Sequence, residues 1–254
     1  MIRLAVNNFP QHITVALSGG PDSMCLLDFL LKSKSKVSAI HFNHSTENAD
    51  AYQAFVSEYC SKKNIPLEIV KLNFNTEHGW SRARKEKFLS MKTIIATGHN
   101  LNDAVETWMM TSMRGQGRLL PPVSDNTIRP LLITNKDKII DWNKRKGVPF
   151  VVDNTNVGDY NDRARIRAVM PDLLKIHPGL FTTIKNKLTD EFDIIDCIGY
   201  AKFIGLEVSR SDRNEISNPA MESIREFSTK EDVLSAAEKY STMLSNSTGP
   251  IDDW

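Results

Sequence analysis

Six residues separate one apolar run from a second with a different rhythm: Ser18-Gly19-Gly20-Pro21-Asp22-Ser23. Amides left free at a helix start, together with the helix dipole, attract an anion, and glycines let a phosphate approach them unobstructed. Ser18, Gly19, Gly20 and Ser23 therefore suit a phosphate cradle. The loop is not of the G-x-x-x-x-G-K-[ST] type, because no lysine follows the glycines. Asp22 would repel a phosphate unless a divalent cation sat between them, so a magnesium-bound triphosphate fits the whole set. The plainer reading is a strand-to-helix turn with Asp22 or Ser23 as N-cap.

Other residues could add to this chemistry. Asp103 and Glu106 are three apart, so on a helix they share a face, where two carboxylates can hold an ammonium group and take its proton. An acid pair near a helix start, favoured by the dipole, is the structural alternative. Arg82, Arg84, Lys85 and Lys87 form a basic run; such runs are usually solvated faces, although this one lies one connection from the loop rim, within reach of phosphate oxygens. Arg163 and Arg167 are one turn apart, with Arg165 facing elsewhere. His41, His44 and His99 lack metal-ligand spacing, and no metal is assigned to them. Trp108, Met109, Met110 and Met113 read as core.

These residues need a scaffold, and the apolar periodicity supplies one. Strands are expected at 13–17, 37–42, 67–72 and 93–97, and helices at 23–31, 48–63, 80–91 and 101–113. That alternation means βαβ units and a parallel sheet with helices on both faces. Ligands bind such sheets beyond the carboxyl ends of the strands, which puts the loops at 18–23, 41–45 and 98–102 on one rim. Further on, a helix at 135–146 ends at Gly147 and a last strand at 148–152 precedes a polar loop, 153–162. Residues 163–205 read as helical with breaks at Pro171 and at His177-Pro178-Gly179, and 230–243 as one more helix in a polar tail.

Composition bounds the rest. With 254 residues, 41% hydrophobic and 25% charged, the chain can bury a real core. No apolar run reaches membrane-span length and the first residues lack signal-peptide character, so no membrane partner and a cytoplasmic location are expected. Three separated cysteines, Cys25, Cys60 and Cys197, argue against disulfides, zinc or a redox pair. The net charge of +1 does not decide whether a nucleic acid is bound.

The S-G-G-x-D-S string after a strand resembles the loop of the N-type ATP pyrophosphatases, the PP-loop superfamily, which split ATP to AMP and pyrophosphate. Within it, other segments resemble the tRNA(Ile)-lysidine synthetases, in order from about Val15 to Pro178. These are Ala39-Ile40-His41-Phe42-Asn43-His44, the Gly98–Thr107 stretch GHNLNDAVET, Arg114-Gly115-Gln116-Gly117 and Ile128-Arg129-Pro130-Leu131-Leu132. Asp153-Asn154-Thr155-Asn156, Tyr160, Arg163 to Arg167, Pro171 and Leu173 continue the series, and Arg84 matches an arginine of the family's A-R-x-x-R segment. Asn102 departs from the pattern, standing where the family usually has the first acid of a D-D pair.

The resemblance implies an α/β, Rossmann-like (adenine nucleotide alpha hydrolase-like) catalytic domain over 1–160 and a small helical region over 161–254, a short form without further C-terminal tRNA-binding domains. It implies a ligase that adenylates carbon 2 of the wobble cytidine in a CAU-anticodon tRNA and lets L-lysine displace AMP. Asp22, Asp103, Glu106 and Arg84 are then catalytic, with magnesium on Asp22. Ser18, Gly19, Gly20, Pro21, Asp22, Ser23, His41, Gly98 and His99 would bind ATP, and Arg82, Arg114, Arg163 and Arg167 the tRNA. The oligomeric state stays open between monomer and homodimer. A tRNA thiolase of the same superfamily, and a tRNA-binding protein with weakened activity, are the competing readings.

Overall fold

The fold is that of a computed structural model, which describes residues 2–6, 9–72, 76–152 and 162–192. The strands are β1 (His12–Ala16), β2 (Lys36–Asn43), β3 (Leu67–Lys71), β4 (Ile94–Ala96), β5 (Val123–Ser124) and β6 (Thr127–Ile128). They form one sheet in the order β3-β2-β1-β4-β6-β5, parallel except for the β5–β6 pair. Val15 of β1 is level with Ala39 of β2 on one side and Ala96 of β4 on the other. The chain thus builds outward from β1 in one direction and then restarts on its other edge, which opens a crevice beyond β1 and β4.

Helix α1 (Pro21–Leu31) begins with proline at its first position, where the missing N–H costs nothing. Met24, Cys25, Leu26, Leu27 and Leu30 are all fully buried, too many for one stripe, because α1 lies between the sheet and α5 (Lys136–Lys146). Asn143 of α5, itself fully buried, donates to the Pro21 carbonyl at 2.8 Å, tying α5 to the loop before α1. Gly147 ends α5 in the left-handed region at φ 62°.

The remaining helices are α2 (Ala49–Lys62), α3 (Glu77–Ser90), α4 (Leu101–Ser112), α6 (Asp162–Ile176) and α7 (Leu180–Glu191). A second apolar cluster joins α4 to α7 through Leu101, Ala104, Val105, Ile184 and Leu188, with Met170 of α6 at its margin.

Three expectations need correction. Residues 148–152 form no strand: the Val151 amide donates to the Gly19 carbonyl at 3.0 Å, so this segment braces the 18–23 loop instead of widening the sheet. The last positions of the sheet go to the β5–β6 hairpin, whose two-residue strands carry no periodic signal. Helix α3 starts three residues before the expected 80, where Thr76 caps it by accepting from the Gly79 amide. Pro171 lies inside α6 rather than breaking it; one lost backbone bond is tolerated in a helix that also packs through Met170. The break at Pro178-Gly179 does separate α6 from α7. Most of the polar loop (153–161), and the helical expectations beyond 192, lie outside the described residues.

Candidate active site

The 18–23 loop is held by its own serines. Ser23 Oγ accepts from the Ser18 amide at 3.2 Å and lies 3.1 Å from Ser18 Oγ, while the Gly20 amide donates to Ser18 Oγ at 3.3 Å. No side chain caps α1. Gly19 adopts φ 87°, a conformation that suits glycine, and a Cβ there would crowd Phe55, Val56 and Val151.

Gly98, just past β4, is the point of closest approach. A Cβ there would stand 2.9 Å from the Ser23 amide nitrogen and 3.0 Å from the Asp22 carbonyl carbon, both backbone atoms that have nowhere to go. The absence of that side chain lets the segment after β4 lie against the loop. Asn100 Nδ2 then donates to Asp22 Oδ1 at 2.9 Å.

Asn100 is also the cap of α4. Its side-chain oxygen accepts from the amides of Asn102 and Asp103, and Asp103 Oδ2 accepts from the Asn100 amide at 2.9 Å, a complete capping box. The structural reading of Asp103 therefore holds, and the functional one is compatible with it, because its side chain remains 22% exposed and lines a cavity of about 520 Å³. Burial pushes the Asp22 carboxyl above its usual range and Asp103 adds to the rise, while Lys136, with Nζ 3.7 Å away, opposes it.

The same cavity is lined by Ser18, Ser23, Gly98, His99 and, across from them on α3, Arg84. Sequence reasoning missed Arg129, whose guanidinium donates to the Pro121 carbonyl and Ser124 Oγ on this wall, although its I-R-P-L-L segment stood out. His99 Nδ1 lies 2.8 Å from Thr97 Oγ1, and burial, reinforced by Arg129, Arg163 and Arg84 against the pull of Asp103, lowers its pKa to about 4. His44, packed edge-on against Trp80, is lowered to about 4 by burial and by Arg84. Both are neutral imidazoles at physiological pH.

Glu106 does not share the cavity wall with Asp103. Its side chain is 5% exposed and takes a two-pronged bond from Arg167, Nε to Oε1 at 2.6 Å and Nη2 to Oε2 at 2.9 Å, with Arg163 Nη1 3.7 Å off. Arg167 Nη2 is also 4.0 Å from Asp103 Oδ1. The two acids and two arginines thus form one cluster joining α4 to α6, with Asp103 at its cavity end.

His41 is buried, with Nδ1 2.8 Å from the Leu17 carbonyl, which fixes β2 to the strand end that begins the loop. Arg82 turns outward to Glu86, and Arg114 pairs with Asp162, both exposed. Asn102 uses its side-chain oxygen to accept the Lys136 amide at 3.1 Å. The buried thiols of Cys25 and Cys60 are pushed up to about 12 and about 11, so neither is a thiolate near neutrality. Among the described residues no three metal-ligating side chains cluster, and no helix is long and apolar enough to cross a membrane.

Comparison with known proteins gives this geometry a context. Residues 2–173 match the PP-loop domain family. A tRNA(Ile)-lysidine synthase of Pseudothermotoga lettingae is 35% identical over 193 residues, 66% of this chain and 43% of that protein. Those of Haemophilus ducreyi and Clostridioides difficile are 30% and 31% identical over 67% and 76% of this chain, and 44% and 48% of theirs. The chain thus spans less than half the length of these relatives. Among solved structures, a U34-tRNA thiolase from Methanococcus maripaludis with a [4Fe-4S] cluster superposes with a TM-score of 0.57 at 19% identity, covering 74% of each chain. That likeness is one of fold.

Proposed function

The chain belongs to the PP-loop domain family, and from that membership we propose that it cleaves ATP to AMP and pyrophosphate in order to join L-lysine to carbon 2 of the wobble cytidine in a CAU-anticodon tRNA(Ile). The observation that carries this reading is the meeting of the 18–23 loop with Gly98, His99 and Asp103 on one cavity, so that nucleotide and acceptor chemistry share a wall. The names of the similar proteins supply the substrate class.

In this reading the amides and hydroxyls of Ser18, Gly19, Gly20 and Ser23 hold phosphoryl oxygens, with Pro21 setting the helix start, and Gly98, His99 and His41 support the nucleotide. Asp22 fits a magnesium ion arriving with ATP, because a partly desolvated carboxyl beside Asp103 gains most from a nearby cation. That ion would neutralise phosphate charge. Arg84 supplies a fixed positive charge across the cavity. The cytidine 2-oxygen forms a bond to the α-phosphorus as the bond to pyrophosphate breaks. A lysine amine then bonds to carbon 2, AMP leaves with the oxygen, and the amine proton passes to Asp103 or Glu106.

Arg163 and Arg167, which pair with Glu106, would exchange it for RNA phosphate when the tRNA docks, releasing Glu106 to the lysine ammonium. Arg82 and Arg114, exposed and weakly paired, suit backbone phosphates. The catalytic domain over 1–160 and helical region over 161–254 remain our proposed division, with α6 and α7, the described part of the second, packed on α4 of the first. The setting is the cytoplasm, where ATP and tRNA meet.

The thiolase reading is weaker, since Cys25 and Cys60 are buried and protonated. The reading as a weakened tRNA-binding protein draws only in part on Asn102, which accepts the Lys136 amide here. Incubation with ATP, magnesium, radiolabelled lysine and CAU-anticodon tRNA tests the proposal: label retained on the RNA only when ATP is present supports it, and tight RNA binding without label refutes it.

A further inference from the structure

Two features near Asp22 are not used by the reading above: Asn102, which breaks the acidic pattern, and Lys136. They are one device. The N-cap of α5, Asn135, makes no side-chain cap bond. Its place is taken from another helix, because Asn102 in the first turn of α4 accepts the Lys136 amide at 3.1 Å. Asn143, one face further along α5, donates to the Pro21 carbonyl at 2.8 Å. These two bonds fix α5 against the loop and leave Lys136, its side chain 47% exposed, with Nζ 3.7 Å from Asp22 Oδ2.

We infer that Lys136 is a cation for the pyrophosphate half of the nucleotide and that Asn102 is its positioning residue. The inference rests on the PP-loop reading of residues 18–23. Lys136 Nζ balances the half-buried Asp22 carboxylate. A triphosphate drawn into the cradle brings several negative oxygens within reach of the same ammonium group, and the flexible lysine stem lets Nζ move from one carboxylate oxygen to them without moving α5. As the substrate oxygen bonds to the α-phosphorus, the bond from that phosphorus to the bridging oxygen breaks and its electron pair goes to pyrophosphate. Lys136 faces the oxygens on which that charge grows. Asn102 needs only an acceptor oxygen for this task, so an aspartate would serve equally. The departure from the family pattern therefore conserves the cap while removing one negative charge from the neighbourhood of Asp22 and Asp103.

The test is calorimetric titration of the intact protein with inorganic pyrophosphate plus magnesium and, separately, with AMP. Lys136→Met is expected to weaken pyrophosphate binding about tenfold while leaving AMP binding within about twofold, and Lys136→Arg to restore most of the loss. Asn102→Ala is expected to weaken pyrophosphate binding about threefold through the lost cap, and Asn102→Asp to retain it. Unchanged pyrophosphate affinity in Lys136→Met, an equal loss for AMP, or no pyrophosphate binding by the unaltered protein overturns the inference. These titrations contain neither RNA nor lysine. If they succeed while lysine incorporation fails, the ligase reading falls and the role of Lys136 stands.

Discussion

At the scale of single residues, the account turns on carboxylates that do different work because their surroundings differ. Asp22 is half-buried, with one amide donor and one ammonium group for company. Replacing it by alanine is expected to lower ATP-dependent turnover at least about a hundredfold, read as pyrophosphate release, as for other removals of a preorganised charge contact. Turnover that survives would contradict the proposed role of Asp22. Glu106→Gln should leave ATP binding intact yet impair lysine transfer. It should also cost about 1–3 kcal/mol of stability, seen as a lower Tm, because Arg167 loses its two-pronged ionic partner in a largely buried site. Unaltered transfer would place the base elsewhere. The place of Asp22 at the start of α1 was legible in the sequence, because an apolar run breaks there at two glycines, a proline and an acid. Lys136 was not, since a lysine opening a helix looks ordinary until α5 is seen docked on the loop.

At the scale of elements, Gly98 measures how closely the β4 end must approach α1. Gly98→Ala places a methyl group against backbone atoms of Asp22 and Ser23, and the shift needed to relieve it should cost about 1–3 kcal/mol and weaken ATP binding. A Tm equal to that of the unaltered protein would show that the two segments have slack. Two partly buried histidines set a pH dependence. His99 and His44 fall from 6.5 to about 4 on folding, so between those values the unfolded chain binds more protons. Their contribution is whole above pH 6.5 and is lost as the pH falls toward 4. Thermal melts should show Tm declining across that window, and His44→Gln should flatten the decline; an unchanged slope would contradict the shift. Periodicity revealed β1, β2, α1 and α4 because each carries an apolar run or face long enough to read. It failed at the β5–β6 hairpin, whose strands are two residues long, and at 148–152, where a β-like run serves to brace the loop at Gly19.

At the scale of the whole molecule, strand order places the chemistry. Because β1 lies between β2 and β4, the loops after β1 and β4 open onto one crevice, and α6 brings Arg163 and Arg167 to the acids of α4 from the other side. Motif order along the chain made the family legible, but only the packing reveals that Asp103 faces the cavity while Glu106 lies behind it, locked to Arg167. The most direct test of the central claim, that one cavity couples ATP cleavage to amine transfer onto cytidine, is mass spectrometry of nucleosides from a CAU-anticodon tRNA treated with the protein, ATP and magnesium, with and without lysine. The account predicts a wobble cytidine heavier by one lysine less one water, only when lysine is present. An unmodified cytidine, or one in which sulfur has replaced oxygen, would contradict it.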